Sequence, residues 1–179
     1  MNQRTVLLTI VLTAISVFQS QAQLSWQKKL EQELPLLGHR NWIVIADSAY
    51  PLQTAPGIET INTGATQLEV VKAVFDALGH AEHVKPVIFL DAEMAHVPEA
   101  DAKGITAYRD TLTKLMGQRD VQSLPHEKII AKLDEAGKSF HVLLLKTSLT
   151  IPYTSVFLQL DCAYWNADAE KRLRAALEK

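Results

Sequence analysis

Leu37-Gly38-His39-Arg40-Asn41-Trp42-Ile43-Val44-Ile45-Ala46-Asp47-Ser48-Ala49-Tyr50-Pro51 is the stretch whose reading decides the fold. It opens on a Gly-His turn, runs through the apolar Trp42–Ala46, and closes on an aspartate and a proline loop. A short apolar run bounded by turn residues reads as a buried strand. In an open α/β sheet, polar groups at the carboxyl end of such a strand face the crevice where ligands bind. Asp47 is therefore expected at a site mouth. His39, eight residues earlier, precedes the strand. It must reach that site through the turn or from a neighbouring subunit.

Working outward, the same logic repeats. Toward the N-terminus, Leu24, Trp26, Leu30, Leu34 and Leu37 are spaced for a short amphipathic helix, which Pro35 and Gly38 end. Before it, Arg4, the apolar run Val6–Phe18 and Ser20-Gln21-Ala22 have the form of a secretory signal peptide. Cleavage after Ala22 would leave a single mature domain, residues 23–179. Toward the C-terminus, Pro51, Pro56 and Gly57 mark a loop, and Ile58–Asn62 reads as a second strand. Thr66 and Glu69 are spaced as a capping box for a helix carrying Leu68, Val71, Val74, Phe75 and Leu78, which Gly79 stops.

Pro86–Leu90 is another apolar strand, ending in Asp91-Ala92-Glu93, and Glu99–Met116 reads as a helix. A weak strand at Asp120–Leu124, a helix at His126–Ala136 and a strong strand at Phe140–Lys146 follow. A last strand, Ser155–Leu160, and a terminal helix, Asp168–Glu178, complete the pattern. Strands alternating with helices predict a three-layer α/β/α single domain with a mostly parallel sheet, with room for some antiparallel pairing near the C-terminus.

Composition narrows the function. A formal charge of −2 with dispersed Lys and Arg offers no basic patch, which argues against nucleic acid and anionic membrane surfaces. One cysteine, Cys162, cannot form an internal disulfide, so stability rests on packing or on subunit association. There is no glycine-rich phosphate loop, no Gly-x-Ser-x-Gly elbow and no His-Glu-x-x-His. His80, His83 and His96 are better read as loop histidines than as a metal site, because Gly79 ends the helix that would hold the first pair. The acid/base groups that remain are His39, Asp47, His126 and Tyr153, with Ser155 two residues beyond the tyrosine. Each also has a bland reading, as turn residue, loop cap, solvated first-turn residue or packing.

Leu37-Gly38-His39, then Asp47-Ser48-Ala49-Tyr50-Pro51, resembles the N-terminal signature of the D-ribose pyranase / L-fucose mutarotase family (RbsD/FucU). Pro86–Leu90 and Tyr108-Arg109-Asp110-Thr111-Leu112 resemble a strand and helix of its fucose branch. His126-Glu127 falls where the ribose branch has a site histidine, and Pro152-Tyr153-Thr154-Ser155 resembles the family's Tyr-x-Asn, with Ser155 replacing the asparagine. The segment between His126 and Tyr153 is longer than is usual for the family, and the export signal is atypical of it.

The resemblance implies a cofactor-independent isomerase that opens the ring of a free aldose by general acid/base chemistry and closes it as another ring form or anomer. It implies His39 as the main acid/base group, with Asp47, His126, Tyr153 and Ser155 binding the sugar, no metal, and a ribose- or fucose-like monosaccharide as partner. It further implies a homo-oligomer, commonly a decamer, with sites near subunit boundaries; the signal peptide places it in the periplasm. Two rivals are a non-catalytic periplasmic monosaccharide-binding protein of the same fold and a structural oligomer of the envelope.

Overall fold

The computed structural model describes residues 25–178; the signal peptide read at 1–22 lies outside them. The chain alternates in the order α1 (Trp26–Glu33), a 3-10 turn (Leu34–Leu36), β1 (Trp42–Ala46), β2 (Ile58–Asn62), α2 (Gln67–Gly79) and β3 (Val84–Asp91). A second 3-10 turn (Ala92–His96), α3 (Ile105–Met116), β4 (Val121–Leu124), α4 (His126–Ala136), β5 (Val142–Lys146), β6 (Val156–Cys162) and α5 (Ala167–Leu177) follow.

The six strands form one sheet in the order β2-β5-β1-β6-β3-β4. β1 and β2 run parallel to β5, and β3 runs parallel to β4. β6 is antiparallel to both of its neighbours, β1 and β3. Five strands thus share one direction, the mostly parallel sheet that the alternation predicts, and the last opposes them.

Burial explains which strands are central. β1 has Ile43 paired with Leu143 on one side and Leu158 on the other, and every one of its residues is buried. A strand covered on both faces needs no polar alternation, hence the unbroken apolar run. The edge strands β2 (Ile-Glu-Thr-Ile-Asn) and β4 (Val-Gln-Ser-Leu) are half exposed and correspondingly polar.

Alternate residues divide the core into two layers. Ile43, Ile45, Leu143, Leu145 and Leu158 face α1, α2 and α3, while Trp42, Val44, Leu144 and Phe157 face α4 through Ile129 and Leu133. Trp42 stacks on Phe89 with ring centroids 5.6 Å apart. The apolar stripe of α1, Trp26 and Leu30, is spent in this core, so that helix does not offer its apolar face for association. α5 buries none of its residues.

Local signals mostly act where expected. Thr66 and Glu69 form the reciprocal capping box of α2. α3 is the exception, starting at Ile105 and not near Glu99. Gly104 adopts φ +94° at its N-cap, and the Glu99 carboxylate accepts the backbone N–H groups of Gly104 and Thr106 from outside the helix. The side chain caps the helix at a distance in sequence, and residues 99–104 form the approach loop.

Candidate active site

The parallel strands deliver their carboxyl ends to one edge of the sheet, and β6, running the other way, delivers its start to that same edge. Asp47 follows β1, Asp91 ends β3, His126 follows β4, and Tyr153-Thr154-Ser155 lead into β6. Asp47, Tyr50, Gln53, His126, Glu127 and Tyr153 line a crevice of about 300 Å³ there, at the small end of the range for small-molecule sites.

His126 is held from two directions. Its backbone N–H, at the start of α4, donates to the Glu93 carboxylate at 3.0 and 3.1 Å, an anion where a helix N-terminus favours one. Its Nδ1 lies 3.0 Å from Asp91 Oδ1, with the Asp91 side chain fully buried and the imidazole partly exposed. That contact makes Nδ1 the donor to the carboxylate and leaves Nε2 as the free ring nitrogen. The Tyr153 ring meets the imidazole edge-on, with centroids 5.7 Å apart.

Asp91 is the electrostatic centre of the site. Burial pushes its carboxyl up to about 6, against the opposing hydrogen bond and charge of His126, and Glu93 and Asp47 raise it further. Its second oxygen, Oδ2, is buried without a partner, as is the hydroxyl of Tyr50; burial also pushes the Tyr50 phenol well above its ordinary value. Buried polar atoms without partners are costly and cluster where ligands bind.

A pH effect on stability follows. The folded chain keeps a proton on Asp91 up to about pH 6, whereas an unfolded aspartate releases it near ~4. Stability therefore falls as pH rises through that window. Asp91→Asn removes the dependence: its urea midpoint should gain on the wild type between those pH values and keep the gain above them. A difference between the two proteins that does not change with pH would refute this account of Asp91.

The loop carrying Tyr153 is fixed by a buried network. Gln67 Nε2 donates to the Tyr108 hydroxyl (3.1 Å) and to the carbonyl of Thr154. The Tyr108 hydroxyl donates to that same carbonyl at 2.7 Å, and Gln67 Oε1 meets the Thr147 hydroxyl at 3.0 Å. Held this way, Tyr153 takes φ +56°, a left-handed conformation rare outside glycine. Strain of this kind persists only where the surroundings over-determine it.

The structure brings Asp47, His126, Tyr153 and Ser155 to one edge and leaves His39 elsewhere. Asp47 Oδ1 accepts the Ala49 N–H at 2.8 Å, so one oxygen caps the turn and the other stays free of it. Ser155 is almost wholly buried at the head of β6. His39 sits in the turn before β1, at the opposite end of that strand. Five residues at ~3.3 Å each separate the two ends by roughly 16 Å, so the route through the turn is closed within one chain. There Asn41 Oδ1 accepts the Gly38 N–H (2.7 Å), Arg40 takes φ +76°, and His39 Nε2 lies 3.6 Å from Asp161 Oδ1, both side chains exposed. Larger surface grooves, of about 550 and 580 Å³, flank that turn, but no buried, unpartnered polar atom belongs to their lining residues.

Among the aromatic residues, Tyr50 and Tyr153 line the crevice, and Trp165 lies at the His39 end, donating to Glu170. His83 Nε2 is engaged by the carbonyls of Leu34 and Leu37, as suits a loop histidine. Asp91 and Glu93 are the residues that sequence reasoning missed. The signal was there, since Asp91 ends an apolar strand just as Asp47 does.

The RbsD / FucU transport protein family model matches residues 25–162. The chain belongs to the RbsD/FucU family. Among solved structures, Bacillus subtilis RbsD complexed with D-ribose is similar at 19% identity and TM-score 0.53, covering 74% of this chain and 91% of that one. FucU from Bifidobacterium longum (18% identity, TM-score 0.49) aligns over 74% of this chain and 93% of its own. The fucose mutarotase of Streptococcus pneumoniae in complex with L-fucose (17%, TM-score 0.49) aligns over 78% and 97%. A search of curated proteins finds no match. This RbsD/FucU chain extends past the matched region as α5, which begins at Ala167 beside the His39 turn.

Proposed function

We propose that the protein is a monosaccharide mutarotase or pyranase, interconverting ring forms or anomers of a free aldose through its open-chain aldehyde. The observation that carries this reading is the His126–Asp91 pair at the crevice, with Tyr153 packed on the imidazole.

Ring opening moves two protons and no electrons. One leaves the anomeric hydroxyl and one arrives at the ring oxygen, and closure reverses both. His126 Nε2 takes the anomeric proton, and the buried Asp91 carboxylate steadies the imidazolium that forms. Asp47 and Tyr153 hold the other hydroxyls, while Ser155, buried behind them, lines no part of the crevice. His39 supplies the proton for the ring oxygen from a neighbouring protomer, with Asp161 beside it in the part that Asp91 plays for His126. The ribose- and fucose-bound relatives favour an aldose of that size. On the reading of residues 1–22 as a cleaved leader, the reaction takes place outside the cytoplasm, and sequencing the exported chain from Gln23 tests that.

The test is NMR saturation transfer between the anomer and ring-form signals of ribose, fucose and other aldoses, with and without the full chain. Exchange should quicken in proportion to protein for at least one sugar, and the acceleration should fade as pH drops below about 6, where Asp91 is protonated. Binding without faster exchange, for every sugar, would favour the non-catalytic binding protein.

A further inference from the structure

At the end of the sheet away from the crevice, three side chains from three elements converge. Glu33 closes α1, Glu59 lies in the edge strand β2, and His141 immediately precedes β5. We propose that Glu33, Glu59 and His141 form a binding site for a divalent transition cation, with zinc the best match, that fastens the N-terminal helix to the sheet.

His141 Nε2 stands 3.8 Å from Glu33 Oε2 and 3.8 Å from Glu59 Oε2, and one donor atom from each residue lies within 4.8 Å of the others. Tetrahedral zinc with bonds of about 2.0–2.2 Å places neighbouring donors roughly 3.3–3.6 Å apart. The two imidazole–carboxylate distances exceed this by only a few tenths of an ångström, and the two carboxylates, within 4.8 Å of each other, would draw together on the ion. His141 Nε2 is shielded from solvent and makes no hydrogen bond. The nitrogen thus stands between two carboxylate oxygens without a hydrogen bond to either.

The carboxylates are arranged for this by Lys29. Its Nζ lies 2.9 Å from Glu33 Oε1 and 3.1 Å from Glu59 Oε1. The ammonium thus engages one oxygen of each glutamate while the other two, the Oε2 atoms, are those nearest the imidazole. Partners that orient ligands in this way are characteristic of metal sites. Two carboxylates and one ammonium leave a net negative charge, which a dication offsets. The His141 backbone is pinned as well: its carbonyl accepts the Trp42 N–H at 3.0 Å and Asn41 Nδ2 at 3.3 Å.

The donor set selects the ion. One imidazole and two carboxylates, with no thiolate, suit zinc and its divalent neighbours better than copper(I), calcium or magnesium. Three protein ligands leave a fourth position for water. The clamp would join α1, β2 and β5 in a chain whose one cysteine cannot form an internal disulfide.

The experiment uses the full chain, stripped with EDTA and dialysed. Zinc is titrated in competition with a colorimetric chelator, and thermal unfolding is followed in parallel. One zinc per chain should bind and raise the midpoint by mass action. His141→Ala and Glu59→Gln should each weaken binding by about tenfold or more, whereas His96→Ala should not. Both variants alter half-exposed side chains, and circular dichroism verifies their folding. No stoichiometric binding, or zinc retained at wild-type affinity in both folded variants, overturns the proposal. Anomer exchange by the metal-free protein is measured separately, so failure of either proposal leaves the other standing.

Discussion

His126→Gln should bring sugar exchange down to nearly the uncatalysed background, a loss of about 10²–10⁴-fold, the range a positioned acid/base group supplies. The expectation rests on which nitrogen is free. Asp91 Oδ1 engages Nδ1 at 3.0 Å, so Nε2 carries the exchangeable lone pair, and glutamine can keep the contact with Asp91 but cannot take the proton. The Glu93 bond to residue 126 comes from the backbone N–H and survives the substitution, so the start of α4 stays in place. Sugar binding, followed by saturation-difference NMR, should persist while exchange collapses, placing the loss in turnover and not in affinity. A variant that exchanges anomers near the wild-type rate would remove His126 from the chemistry and leave the crevice as a binding cleft.

The second large effect concerns His39. His39→Ala and His126→Gln should each be nearly inactive alone, yet co-assembled in equal amounts they should recover about a quarter of the wild-type sites, the random fraction pairing an intact crevice with an intact neighbouring turn. The expectation rests on the proposed function: one chain cannot place His39 beside Asp47 from opposite ends of β1, so a neighbour's Gly38–Asn41 turn would have to supply it. If the mixture is no more active than its parts, proton transfer does not cross between chains. If His39→Ala alone is fully active, the single-chain crevice suffices and the role assigned to His39 is withdrawn.

Much of the fold was legible because the strongest signals are local. The unbroken run Trp42–Ala46 marks a strand buried on both faces, and Thr66 with Glu69 marks the start of α2. The start of α3 was not, because Glu99-Ala100-Asp101-Ala102-Lys103 is rich in good helix formers, while Gly104 and the reach of Glu99 set the boundary. The site divides in the same way. That Asp47, His126 and Tyr153 share one edge of the sheet could be read from strand ends and motif, whereas the burial of Ser155 behind that edge could not. The pairing of Asp91 with His126 joins residues far apart in sequence across β3 and β4, and no local pattern encodes it. The separation of His39 from Asp47 was accessible to arithmetic, since a five-residue strand between two residues places them at opposite ends.

The reversed direction of β6 has a consequence for how this chain can be extended. Because the strand enters at the crevice and leaves at the far pole, whatever follows Cys162 emerges beside the Gly38–Asn41 turn, at the end of the sheet opposite the crevice. Appended sequence therefore leaves the mouth of its own chain's crevice open but crowds the His39 turn, which the proposed function hands to a neighbouring copy. On the proposed function, a change in the tail is felt first at His39, at the end of the chain where copies would meet.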